Sequence, residues 1–240
     1  MPIRRNSYTL LCTVLALVVL LAWDASGWDL ALARPFGTAQ GFAWRDQWFL
    51  SEVLHKGVQR AAWLPCLWLI IGIWKPTAIL RQLDRRERAQ WVVATLVSLA
   101  AISSFKQFTQ TSCPWDMAEF GGRAHWVSHW AWRLTDGGNG HCFPAGHASA
   151  AFAFIGGYFA LHRKLPRQAL LYLAGVVAVG LLIGLAQQVR GAHFMSHTLW
   201  TAWLCWIIGW LVDGFARRFA APRAPADWTS AEPLTPPGRS

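Results

Sequence analysis

Apolar residues fall into six runs along the 240-residue chain, separated by stretches where charge, proline and glycine return. The runs cover Thr9–Trp23, Ala61–Leu80, Trp91–Phe105, Ala148–Leu161, Gln168–Ala186 and Phe194–Phe215. A helix needs about 20 residues to cross a bilayer, with a range of roughly 17–25. The pattern therefore predicts an all-α fold, a polytopic bundle of six transmembrane helices forming one domain over residues 1–219. The first, third and fourth runs are short by that measure. Their helices must continue into the flanks, with neighbouring Lys and Arg snorkelling to the interface. Lys75-Pro76 leaves the inner end of the second run open. Residues 220–240 carry five prolines and predict a disordered tail.

Composition agrees with a membrane protein. Hydrophobic residues make up 54% of the chain and charged residues 14%, against about 25% charged in soluble domains. The 17 Trp suit the headgroup layer. With both termini cytoplasmic, the inner segments hold 14 of the 22 basic residues and five of the 12 acidic ones. The basic excess is then a topology signal facing an anionic inner leaflet, not a nucleic-acid footprint, and no nucleic-acid partner is expected. The expected location is the inner membrane, with membrane lipids as surroundings; oligomeric state is not legible. The first run also has features of a cleaved signal peptide, with Arg4 and Arg5 before it and Ala25-Ser26-Gly27 after it, but its apolar stretch is long for one and a retained helix is expected.

Two outer segments are long. Asp24 to Arg60 is dense in aromatics, including Trp28, Phe42, Trp44 and Trp48, and reads as ordinary interface anchoring, with an interfacial helix or a partly buried cap as the alternatives. Lys106 to Gly146 carries more chemistry. Its Gly137–Gly140 run suggests backbone N–H groups turned toward an anion, and it leads to His147 in the first turn of the fourth helix. Asp116 and Asp136 are expected to cap turns. His125, His129 and His141 are expected to be solvated or interfacial. Cys113 and Cys142 fall in this same segment and are a disulfide candidate if that side is oxidising, worth about 3 kcal/mol in the chain-entropy model.

Lys106, His147, Arg190, His193 and His197 all fall at outer helix ends, and His193 and His197 are four apart, so on a helix they share a face. Cationic clamps beside several imidazoles suit phosphoryl transfer, with one histidine attacking, another protonating the leaving oxygen and a third group orienting the attacker.

These residues resemble the membrane branch of the type 2 phosphatidic acid phosphatase and haloperoxidase superfamily, whose motifs read K-x6-R-P, P-S-G-H and S-R-x5-H-x3-D. Lys106 and Cys113-Pro114 match the first, with Cys in place of Arg. Pro144-Ala145-Gly146-His147 matches the second, with Ala in place of Ser. His193 and His197 match the end of the third, with His in place of Asp; its Arg is Gln187 here, and an Arg stands instead at Arg190. The resemblance implies a phosphatase or phosphotransferase acting on a lipid-linked phosphate or diphosphate, with a periplasm-facing site and no metal or other cofactor. It implies a phosphohistidine on His193, acid–base work by His147, orientation of His193 by His197, and phosphate binding by Lys106, Arg190 and the Ala145-Gly146 turn. Arg123 and Gln187 are further candidates for the missing clamp. The substitutions imply a divergent subfamily or a weakened catalyst.

Two other classes remain open on the sequence. In a histidine-rich metal-binding protein, His193 and His197 with His141 or His147 would hold zinc, although Lys106 and Arg190 repel a cation. In a non-catalytic protein the fold persists without the chemistry.

Overall fold

Helix α1 (Pro2–Ser26) is followed by a short α2 (Trp28–Ala33) and a two-residue hairpin, Gly37–Thr38 paired with Gly41–Phe42. The computed structural model describes residues 2–131 and 133–219, with side-chain detail from residue 7. The predicted tail, 220–240, lies outside the described residues.

A π-helix over Phe49–Gly57 then leads through α3 (Val58–Ala61) into α4 (Trp63–Gly72). The second predicted helix is thus shifted. Its helical path begins well before Ala61 and stops at Gly72, because Lys75-Pro76 breaks it; a 3-10 turn, Ala78–Gln82, fills the rest. Asp84 and Glu87 form a reciprocal capping box, and α5 (Arg85–Phe108) starts there.

The fourth predicted helix stays short. It consists of α6 (Ser149–Phe152), a 3-10 turn at Ala153–Ile155 and α7 (Gly156–Leu161). Pro144 and Pro166 confine it from both sides. Pro166 opens α8 (Pro166–Val189), and α9 spans Met195–Arg218. Among the described residues, four helices are long and apolar enough to cross a membrane: α1 from Ser7, α5, α8 and α9. The chain is a multi-pass membrane protein. The first and third runs extend past their apolar limits, as spanning requires.

Helix α5 packs against α4, α7 and α9, so it runs at the centre of the bundle. Its Trp91 and Val92 join Leu69, Leu80 and Leu161 in one core cluster; Ile102 joins Ala148, Phe152 and Cys205 in another. A Cβ at Gly184 would lie 2.2 Å from Thr198 Cγ2, so glycine is what lets α8 and α9 approach. At the end opposite His147, buried Asp213 gathers Gln90 at 3.0 Å, Arg217 at 3.2 Å and Arg163.

The aromatic outer segment divides its residues. Phe42 is buried with Ala33, Met117, Phe120 and Phe194, forming a cap over the outer helix ends. Trp28, Trp44 and Trp48 remain exposed. Asp29 in α2 reaches the start of α9, where its carboxylate accepts from the Ser196 backbone N–H at 3.0 Å and from the Ser196 hydroxyl. It thereby caps a helix far away in sequence and holds the segment that carries His193 and His197.

Candidate active site

The segments around Lys106–Pro114 and His141–His147 lie side by side. His141 N–H donates to Thr109 O at 3.0 Å, Cys142 N–H to Thr111 O at 2.9 Å, and the Thr109 hydroxyl to Phe143 O at 2.6 Å. A disulfide between Cys113 and Cys142 ties them together, with Cα atoms 5.1 Å apart. The Gly137–Gly140 run does not turn toward an anion. Gly138 N–H donates to Asp136 and Gly140 N–H to the Ser112 hydroxyl, each at 2.9 Å, so those groups are already used in building the turn. Asp136 is buried and also accepts from Ser112, which is the turn-capping part expected of it.

His147 lies in the turn just before α6, not inside the helix. Its Nδ1 is 3.4 Å from His193 Nε2. The Lys106 ammonium sits against this turn, since a Cβ at Gly146 would lie 3.7 Å from Lys106 Nζ. Ala145 is less available for binding than its motif suggests: its N–H donates to His197 O at 3.3 Å. Burial, with the charges of His55, Lys106 and Arg190 adding to it, pushes His147 down to about 3. Burial does the same to His193, well below the usual histidine value, with His147 and Lys106 contributing. Both imidazoles are therefore neutral at pH 7.

His193 precedes α9, on the turn that Gly191 makes with φ 73°. A Cβ at Gly191 would collide with Phe42, so the turn and the cap fit only with glycine there. The backbone of Gln187 accepts from Ala192 N–H at 2.8 Å and His193 N–H at 3.4 Å. The Gln187 side chain accepts from Arg190 Nη1 at 3.1 Å, so Gln187 steadies the arginine. Arg190 Nε donates to Arg45 O at 2.7 Å, and its guanidinium lies 6.0 Å from the Trp115 ring centroid. Burial lowers Arg190 from its ordinary value, and its charge reaches both His147 and His55.

The orienting contact on His193 differs from the expected one. His193 Nδ1 lies 3.4 Å from Cys142 Sγ and faces the Cys142 main chain. The His193 and His197 rings stand 5.9 Å apart, edge to face, with no hydrogen bond between them. The physical reason is that His193 sits before the helix, so the pair never shares a helical face. A proton held on Nδ1, the nitrogen on the Cys142 side, leaves the Nε2 lone pair free for attack. The same geometry speaks against zinc held by these two residues, because their rings turn to different partners. Among the described residues, the cluster of metal-ligating atoms within 4.8 Å of one another is Cys113, Cys142 and His193, and its two sulfurs are bonded to each other.

Arg123 is exposed and is not among the charged groups that act on His147 or His193. Two histidines join the site region that motif reading passed over. His55, on the π-helix, packs its ring 4.0 Å from that of His147. Its only sequence signal is position in the aromatic outer segment. His129, expected at the interface, is buried, stacked on Phe143 at 4.1 Å and 3.3 Å from Asp24 Oδ2.

A cavity of about 420 Å³ opens beside the site between α4, α5 and α6. Lys106, Gly146 and His147 line one part of it; Trp63, Leu99 and Phe154 line another.

No curated protein matches the sequence significantly. In structure, the chain is similar to a transmembrane PAP2-type phosphatidylglycerolphosphate phosphatase from Bacillus subtilis. The TM-score is 0.51 at 17% identity, over 86% of this chain and 96% of that one, which is a likeness of fold. The family model of the PAP2 superfamily matches residues 89–219, more than half of the chain and the span that carries Lys106, His147, Arg190 and His193, so the chain belongs to the PAP2 superfamily.

Proposed function

We propose that the protein is a membrane phosphatase acting on a lipid-linked phosphate or diphosphate, through a phosphohistidine on His193. The observation that carries this reading is the facing pair of neutral imidazoles, Nδ1 of His147 and Nε2 of His193 at 3.4 Å, beside the Lys106 ammonium. The His193 Nε2 lone pair attacks phosphorus, and the ester P–O bond breaks. The departing oxygen takes a proton from His147, whose pKa rises once a phosphate dianion is bound beside it. His147 then accepts a proton from water, whose oxygen attacks phosphorus and breaks the N–P bond. Lys106 and Arg190 balance charge on the phosphoryl oxygens, with the Gly146 turn beside them.

The lipid assignment rests on the cavity that joins this polar end to an apolar wall of Trp63, Leu99 and Phe154, a shape that suits a headgroup with its attached chains. A six-helix arrangement in the inner membrane, with a periplasmic site and cytoplasmic termini, is supported by the charge distribution along the chain. The test is phosphate release by purified protein from phosphatidate, phosphatidylglycerol phosphate and undecaprenyl diphosphate, with acid-labile label trapped on the protein. Wild type should release phosphate and trap label. His193→Ala should do neither, while His147→Ala should slow release. A His193→Ala variant as active as wild type sinks the mechanism.

A further inference from the structure

A second, much smaller cavity of about 20 Å³ lies among Asp24, Thr111, His129 and His197. Four buried polar atoms on these residues have no hydrogen-bond partner among the described residues: Asp24 Oδ1, Thr111 Oγ1, His129 Nε2 and His197 Nδ1. The rest of each group is well held. Asp24 Oδ2 accepts from Trp130 Nε1 and Trp200 Nε1, each at 2.9 Å, and lies 3.3 Å from His129 Nε2. The other face of the His197 ring meets the main chain of Cys142. An unpaired buried polar group costs about 1–3 kcal/mol, so four on one cavity mark a place for a polar ligand.

Size and hydrogen-bond type identify the ligand. A water needs roughly 10–15 Å³ of such volume and two to four polar partners, so the cavity holds one. Asp24 Oδ1 is an acceptor. So is His197 Nδ1 in the tautomer that carries the ring proton on Nε2. The Thr111 hydroxyl is a donor, and so is His129 Nε2–H, whose one proton the water shares with Asp24 Oδ2 at 3.3 Å. Two acceptors and two donors complement the two protons and two lone pairs of water. A metal ion would need lone pairs on all four, and an anion would need four donors.

We propose that this cavity is a binding site for one water molecule, which couples the Asp24 carboxylate of α1 to the His197 imidazole. The water donates to Asp24 Oδ1 and His197 Nδ1 and accepts from Thr111 and His129. Its functional consequence rests on the phosphatase reading. His193 becomes a positive ring on phosphorylation, and a carboxylate coupled to it stabilises that charge. No carboxylate makes a hydrogen bond to His193 or His147 among the described residues. Asp24 supplies that charge from behind, as a positioning residue, through the water, His197 and the Cys142 main chain that both rings face.

Two readouts decide the matter. An experimental structure of the purified protein at water-resolving resolution should show one density peak within hydrogen-bond distance of all four atoms. Thr111→Val, equal in shape, should lose it. A dry cavity in wild type, or an unchanged peak in Thr111→Val, overturns the site. In turnover, Asp24→Asn should lower kcat about tenfold at unchanged KM, and Thr111→Val should move in the same direction. Adding His197→Asp to Asp24→Asn should restore most of the loss, since the carboxylate then stands closer to His193. Wild-type kcat in both single variants, or a double variant no faster than Asp24→Asn, overturns the coupling. If wild type itself turns over no phosphate ester, the phosphatase reading fails, and the density still decides the water site.

Discussion

His147 owes its low pKa of about 3 to burial among other cationic groups, and this has a sign that can be checked. Its folded value lies below the unfolded one, so the unfolded chain binds the extra proton first. Stability from this group is complete above about pH 6.5 and is lost as pH falls toward about 3, by up to about 1.4 kcal/mol per pH unit. Melting in detergent between pH 8 and pH 5 should therefore show a drop that His147→Gln reduces. His193 is also neutral in the free protein, so kcat/KM should not fall as pH drops through 6.5; a fall centred there would contradict the effect of burial. His55 makes a separate prediction. Its ring backs that of His147 at 4.0 Å, so His55→Ala frees the His147 imidazole, to which we assign the acid–base work, to turn. We expect phosphate release to fall about tenfold with fold stability little changed.

At the scale of elements, two cross-links hold the site together, one covalent and one polar. The Cys113–Cys142 bond closes a separation of 29 residues and sets the main chain that His193 faces. Converting both cysteines to serine should cost about 3 kcal/mol of stability, read as a lower melting temperature, and should slow turnover as well. Asp29 caps α9 from α2, so Asp29→Ala leaves Ser196 N–H unmet and should destabilise by about 1 kcal/mol in the same melting assay. The bond pairing of the cysteines was visible as a candidate because both fall in one outer segment. The Asp29 cap was not, because nothing near Ser196 in sequence announces a partner so far away.

For the molecule as a whole, the charge asymmetry makes a sidedness prediction. In a background lacking Cys12, Cys66 and Cys205, a cysteine placed at exposed Arg123 should react with an impermeant maleimide in spheroplasts. One placed at exposed Arg86 should react only after lysis. The reverse pattern would invert the topology and move the site to the other face.

The sequence by itself determined the class and pointed to the chemistry proposed above. Apolar run length marks candidate membrane helices, charge bias supports a sidedness, and the spacing of Lys106, His147 and His193 points to the family; all three are one-dimensional and need no packing to be read. Helix limits were legible only where a local break such as Lys75-Pro76 or the Asp84–Glu87 box acts within a turn of chain. Tertiary structure alone decided which groups face one another. It placed His55 against His147, turned His193 to Cys142 instead of His197, spent Ala145 N–H on His197 O, and brought Asp24 to His129. Those contacts join segments distant along the chain, and their geometry follows from how the bundle and its aromatic cap close together, which no local pattern encodes.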